Sequence, residues 1–203
     1  MSLSRIGGIL IVAAAVLFAL TLVIAAGGGS VSVRGNGPGS DTATVALVLL
    51  GVGLAMLAIA GPPPLHGRVV RAGFWLVVIG GAAELLTAGV AVESWLVVIF
   101  LLGGLVVLVG VIVSGIGLLL TPGPARRVGL GFAAGIALAV VAGFVSNDPG
   151  IAFSAETEAL RAAMNVLAIV AAGLLIVSLA AVGVLAMRGG DAPAPASRAV
   201  SAE

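Results

Sequence analysis

The chain has 203 residues, of which 61% are hydrophobic and 8% charged, and its mean hydropathy is +1.33. An ordinary soluble domain carries about 25% charged residues, so this composition excludes a water-soluble protein. It also excludes intrinsic disorder, which needs low hydrophobicity and high charge, and the 31 glycines follow no collagen period. The composition is typical of a polytopic helical membrane protein.

The ionisable residues and the missing cysteines limit the possible chemistry. Without cysteine there are no disulfides, thiolate metal sites or iron–sulfur clusters. One histidine, His66, cannot build a zinc site from this composition. The formal net charge of +1 is no footprint of nucleic-acid binding. We therefore expect no metal, no cofactor and no nucleic-acid partner.

Six apolar blocks follow one another along the chain, and each can cross hydrocarbon as a helix of about 20 residues. They cover residues 6–26, 42–60, 72–92, 95–120, 128–145 and about 159–187. None alternates with the period of two that membrane barrel strands show. The sequence predicts an all-α bundle of six transmembrane helices, with a single domain over 1–188 and a disordered cytoplasmic tail over 189–203.

The first block has an alternative interpretation as a signal peptide, because Arg5 precedes the apolar run and Val23-Ile24-Ala25 could form a cleavage site. The run is about 20 residues long, which exceeds the usual signal-peptide core of about 7–15 residues. We expect helix 1 to be retained in the membrane. The other five spans keep their orientation in either case.

The arginines predict the orientation, because cytoplasmic loops are enriched in them. With both termini in the cytoplasm, seven of the nine basic residues lie inside and only Arg34 and Arg161 lie outside. The predicted topology is therefore N-in and C-in. The seven inside are Arg5, Arg68, Arg71, Arg126, Arg127, Arg188 and Arg198.

An Arg-x-Gly pattern opens each odd helix, at Arg5, Arg71 and Arg127, and a Pro/Gly stretch follows each even helix. This pattern suggests three repeated helical hairpins, an architecture that some transporters use. Interfacial arginines and loop glycines are common without any repeat, so the pattern also has a simpler explanation. Glu93 and Ser94 predict a tight turn between helices 3 and 4.

Small residues recur at helical spacing and predict close contacts between helices. In helix 6, Ala168 and Ala172 are spaced by four and Gly173 is adjacent. Such positions serve either the folding of the bundle itself or docking to another membrane subunit or a second copy. The strongest series are Gly131, Gly135, Ala139 and Gly143 in helix 5, and Gly103, Gly110 and Gly117 in helix 4.

Glu84 is the one acid inside a predicted span, about 20 Å beyond Arg71 at 1.5 Å per residue. A charge in hydrocarbon is costly, so we expect Glu84 to face protein and to be either protonated or paired. Thr87 shares its face, and Arg161 and Asn165 begin helix 6 at a similar depth. These four residues are a candidate polar cluster, either a structural clasp between helices 3 and 6 or a site for a proton, a cation or a polar substrate group.

No enzyme motif is present: the chain has no Gly-x-Ser-x-Gly, no P-loop and no paired-aspartate motif. We expect a non-catalytic subunit, scaffold or assembly factor of the cell membrane (inner or plasma), in contact with lipid and with another membrane protein or itself. The alternative is a secondary transporter or channel-like carrier of protons or a small solute that uses Glu84.

Overall fold

The structure, a computed structural model, describes residues 1–26, 38–62, 65–87, 96–146 and 157–189. Within these ranges all regular secondary structure is helical, and each of the six helices is long and apolar enough to span a membrane. The predicted all-α fold with six spans is confirmed. The helices are α1 Leu3–Ala26, α2 Pro38–Ala60, α3 Arg68–Thr87, α4 Leu96–Leu120, α5 Pro124–Ser146 and α6 Thr157–Gly189.

Two helices begin with a proline that the sequence analysis left outside the spans. α2 begins at Pro38 rather than at 42, and α5 begins at Pro124 rather than at 128. The first turn of a helix has no acceptor for its N–H groups, so proline loses nothing there and its fixed φ suits the helix. The expected turn at Glu93 and Ser94 lies outside the described residues. Of the expected tail over 189–203, Gly189 is the last residue of α6 and the remainder lies outside the described residues.

The helices form a closed ring, in which each packs against its neighbours in the chain and α6 packs against α1. Contact is most extensive between α3 and α4 and least extensive between α2 and α3. Odd helices begin and even helices end at the same end of the ring. This end, called the arginine end below, carries Arg5, Arg68, Arg71, Arg126, Arg127 and Arg188.

The α2–α3 connection at the arginine end satisfies the last carbonyls of α2. Gly61 has a positive φ of 51° and donates its N–H to the Leu57 carbonyl at 2.9 Å, an αL cap. Pro62 has no N–H for a further capping bond. Arg71 Nε instead donates to the Ala58 carbonyl at 2.6 Å, which also places a cation at the negative end of the α2 dipole.

The three Arg-x-Gly glycines do not occupy equivalent places in the ring. A Cβ at Gly7 would lie 3.0 Å from the Gly53 carbonyl oxygen on α2, and one at Gly73 would meet Ser114 on α4. Both glycines therefore face the partner helix of their own hairpin. A Cβ at Gly129 would lie 2.6 Å from the Leu119 nitrogen on α4, the helix of the preceding hairpin. The hairpins thus differ in packing although they share the motif.

Candidate functional site

The α3–α4 interface is a seam of glycines at heptad spacing. A Cβ at Gly110 would lie 2.7 Å from the Val77 nitrogen and 2.9 Å from the Gly73 carbonyl oxygen. A Cβ at Gly103 would lie 3.0 Å from the Gly80 carbonyl oxygen. The two backbones therefore approach so closely that no side chain fits between them, as small residues permit in membranes.

The sequence pattern indicated the α4 residues of this seam but not their partners on α3. Gly117 completes the α4 side, where an added Cβ would lie 2.7 Å from a methyl group of Val70. Gly73 and Gly80 are also seven residues apart, as Gly103 and Gly110 are. Matching these two spacings could have paired helices 3 and 4 from the sequence.

Glu84 lies on α3 opposite Gly103 and Gly104 of α4. A Cβ at Gly104 would lie 2.9 Å from Glu84 Oε1, and one at Gly103 would lie 3.2 Å from Glu84 Cγ. The two glycines form a notch that receives the glutamate side chain, which is half-buried. In the described part of the structure its carboxylate makes no hydrogen bond or ion pair. Glu84 thus packs against α4 without a polar partner among these residues.

The other members of the expected polar cluster lie in different surroundings. Thr87 is buried one turn from Glu84 and donates to the Ala83 carbonyl at 2.8 Å, so its hydroxyl serves its own helix. Asn165 is exposed on α6, which packs chiefly against α1 and α5 rather than α3. The side chain of Arg161 lies outside the described residues. A contact between Glu84 and Arg161 therefore stays a prediction.

The small residues of α5 lie against α6 in the half nearer the arginine end. A Cβ at Gly131 would meet the Ser178 hydroxyl, and one at Gly135 would lie 2.8 Å from Leu175 Cγ. Ala139 is exposed, and the surroundings of Gly143 lie outside the described part. The close approach of α5 to α6 is thus located at Gly131 and Gly135.

Three helical glycines differ from those in the seams. At Gly51, Gly81 and Gly173 no heavy atom of the described residues, apart from the adjoining backbone of the same helix, lies within 4 Å of an added Cβ. A glycine inside a helix costs about 1 kcal/mol relative to alanine, and here no neighbouring helix benefits from the missing side chain. Gly51 and Gly81 line one groove between α2 and α3.

Gly173 lies on the outer face of α6. Residues four apart share a helix face, and its neighbours on that face, Ile169 and Val177, are 43% and 66% exposed. Gly173 therefore makes a shallow depression between two exposed side chains. We call residues 166, 169, 173 and 177 the α6 outer stripe.

Two apolar cavities lie among the helices. The central cavity, about 320 Å³, is lined from five helices by Phe18, Leu22, Leu50, Val111, Phe132, Ala172, Leu175, Ile176 and Leu179. The α2–α3 groove, about 220 Å³, is lined by Leu47, Val48, Leu50, Gly51, Val52, Val77, Val78, Gly81, Ala82, Leu85 and Val107. Leu50 lines both, and no polar side chain of the described part of the chain lines either.

Polar groups elsewhere do not gather into a reactive site within the described ranges. His66 is exposed in the α2–α3 connection. Ser114 is buried and donates to the Gly110 carbonyl of its own helix at 2.7 Å. No group of three metal-ligating side chains occurs among the described residues.

The fold and the apolar interior define the class of the chain, a multi-pass helical membrane protein. No protein-family model matches the sequence, and comparisons with curated proteins and with solved structures found no match. The function therefore has to be argued from the molecule itself.

Proposed function

We propose that this protein acts without catalysis, as a subunit, scaffold or assembly factor that packs against another membrane protein through the α6 outer stripe. The observation that supports the proposal is Gly173, a helical glycine with open space where its side chain would be. Small residues on a membrane helix allow a second helix to approach closely. The seam glycines elsewhere are already in contact with neighbouring helices of the ring, whereas Gly173 is available.

The neighbours of Gly173 suit the same purpose. Val166, Ile169 and Val177 are exposed apolar side chains that can pack on either side of a partner helix. Lipid tails are as apolar as these side chains, so the gain from a partner comes from packing and not from hydrophobicity. A depression flanked by larger residues supplies such packing. The partner is another membrane protein, and a second copy of this chain is the other outcome of the test.

The orientation is part of the proposal. Six arginines of the described residues belong to one end of the ring, and the positive-inside rule assigns that end to the cytoplasm. The protein then lies in the cell membrane with both termini in the cytoplasm. The α6 outer stripe starts at Val166, on the external side of the membrane, and runs toward the cytoplasmic side as far as Val177.

Co-purification tests the docking proposal. Tagged wild-type protein, Gly173→Leu and Gly81→Leu are extracted from their own cells in mild detergent, and companions are identified by mass spectrometry. Both substitutions add leucine at an open glycine, but only Gly173 lies on the α6 outer stripe. We expect one stoichiometric companion, or a dimer, that Gly173→Leu loses and Gly81→Leu keeps. Identical companions in all three proteins would contradict the proposal.

A second candidate function rests on Glu84. A carboxylate in a glycine notch, without a polar partner among the described residues, suits a carrier of protons or of a small cation. Reconstituted vesicles with a pH-sensitive dye inside test this function. A carrier loses flux in Glu84→Gln while it still folds, because an amide cannot exchange a proton. Equal flux in wild type, Glu84→Gln and protein-free vesicles excludes it.

A further inference from the structure

The α2–α3 groove and the central cavity together form a candidate ligand site that is independent of the α6 outer stripe. The two share Leu50, and on α4 they are bordered by Val107 and Val111, one helical turn apart. The two apolar spaces are therefore neighbours, with Leu50 between them. The entrance lies where ring contact is least extensive, between α2 and α3.

The depth of the groove indicates which part of the membrane surrounds it. On α3 it extends from Val77 to Leu85, about 14–26 Å from Arg68 at 1.5 Å per residue. This range falls inside a hydrocarbon core of about 30 Å, on the side away from the arginine end. Val48 and Val52 of α2, which line the groove, are exposed at 46% and 44%. The groove therefore opens onto lipid tails and not onto water.

The lining selects the chemistry of the occupant. Every lining side chain among the described residues is apolar or absent, so none of them can bind a polar group. An enclosed apolar cavity of about 150 Å³ stays dry and binds small hydrocarbons. The two spaces here, of about 220 and 320 Å³, are partly open and have the same apolar lining, which suits a hydrocarbon.

The size of the groove argues against a helix as occupant. A membrane helix packs along a span of about 30 Å, whereas the groove extends only about 12 Å along α3, from Val77 to Leu85, at 1.5 Å per residue. An extended hydrocarbon chain can enter a groove of that length with part of its carbons. Gly51 and Gly81 supply the width, because each leaves open space where a side chain would narrow the path.

We propose that the α2–α3 groove binds one acyl chain of a bilayer phospholipid, whose end enters the central cavity past Leu50. The phospholipid is the source because the groove opens directly onto the tails of the surrounding bilayer. The bound chain fills the interior of the ring and so becomes part of its core. This inference does not depend on the proposed function, since it concerns a different face of the molecule.

Photo-crosslinking tests the lipid site. The full-length protein is reconstituted in vesicles of phosphatidylethanolamine and phosphatidylglycerol with a trace of phosphatidylcholine that carries a diazirine at the end of one acyl chain. After irradiation, the labelled residues are mapped by mass spectrometry. We expect labelling concentrated at Leu50, Val107 and Val111, above that of the outward-facing Val166 and Val177.

Three substitutions distinguish labelling by a lipid bound in the groove from labelling by ordinary lipid contact. Gly81→Leu and Gly51→Leu each place a side chain in the groove, and Gly173→Leu adds the same side chain outside it. We expect about tenfold less labelling of Leu50 and Val111 in the groove variants, because the leucine occupies the close-packed path, and wild-type labelling in the control. Size-exclusion profiles establish folding, and if one groove variant does not fold, the other decides.

Two results would overturn the inference. Labelling of wild type that is spread evenly over all lipid-facing residues would mean that only surrounding lipid is sampled. Equal labelling of Leu50 in wild type and in the folded groove variant would mean that the groove is not the route. If Gly173→Leu loses its protein companion but keeps the labelling, the lipid site and the docking surface are separate, as argued here.

Discussion

Glu84 shows how one residue is accommodated in a membrane helix by the shape of its neighbour. The side chain lies over Gly103 and Gly104 of α4, and a Cβ on Gly104 would lie 2.9 Å from Glu84 Oε1. The one acid within the described candidate spans thus lies beside backbone instead of beside another bulky side chain. The placement suits a group that stays uncharged within hydrocarbon.

A pair of substitutions tests this arrangement. We expect Glu84→Gln to change the free energy of unfolding by less than about 1 kcal/mol, because an amide has nearly the same shape and no described ion pair is lost. Gly103→Leu should cost about 1–3 kcal/mol by overpacking the notch, because an added Cβ would lie 3.0 Å from the Gly80 carbonyl oxygen of the α3 backbone. Thermal unfolding in detergent measures both. Equal loss in the two variants would mean that the carboxylate itself stabilises the fold.

Arg71 has two roles at the arginine end, as a topological signal and as the donor to the Ala58 carbonyl at 2.6 Å. We expect Arg71→Gln to lower the thermal unfolding midpoint by more than Arg68→Gln, whose side chain begins the same helix without a described bond to α2. An equal shift for both arginines would show that the loss is one of charge alone and that the cap on α2 does not matter.

At the scale of the helix, glycines divide into those that bring two helices together and those that leave space. Gly110 and Gly173 are both helical glycines, yet an added Cβ would clash with the α3 backbone at the first and meet nothing at the second. We expect Gly110→Leu to cost about 3 kcal/mol, the upper end for overpacking, because backbone cannot move aside as a side chain can.

The matched control is Gly173→Leu, which should leave the unfolding free energy of the isolated protein unchanged or slightly raised, since leucine favours a helix over glycine. Chemical or thermal unfolding of the two purified variants compares them directly. A Gly110→Leu protein as stable as wild type would mean that α3 and α4 do not approach as closely as described.

The sequence predicted the helices better than it predicted their faces. Long apolar runs identify six spans because hydrocarbon thickness sets their length. The early starts at Pro38 and Pro124 escaped because proline in the first turn resembles proline in a loop. Gly135 and Gly173 could not be told apart, because residues that face lipid and residues that face protein are equally apolar in a membrane helix. The sequence likewise did not indicate that Glu84 packs against Gly103 and Gly104 of α4.

At the scale of the whole molecule, all odd helices start at the same end of the ring. If that end is cytoplasmic, the topology is N-in and C-in. We expect reporter fusions at Gly37 and Pro149 to read as external and a fusion at Pro124 to read as internal, from the seven-to-two distribution of arginines. Paired alkaline-phosphatase and fluorescent-protein reporters make the measurement. An external reading at Pro124 would reverse the orientation. The α2–α3 groove, on the side away from the arginine end, would then face the cytoplasmic leaflet instead of the external one.

If α6 presents a docking surface for another membrane protein, cross-linking in intact membranes should capture that partner. A photoreactive amino acid is placed at Val177 on the α6 outer stripe and, for comparison, at Leu105, which is 56% exposed on α4. We expect a discrete protein adduct from position 177 that disappears when Gly173→Leu is added, and none from position 105. Only lipid adducts at both positions, or a position-177 adduct unaffected by Gly173→Leu, would contradict it.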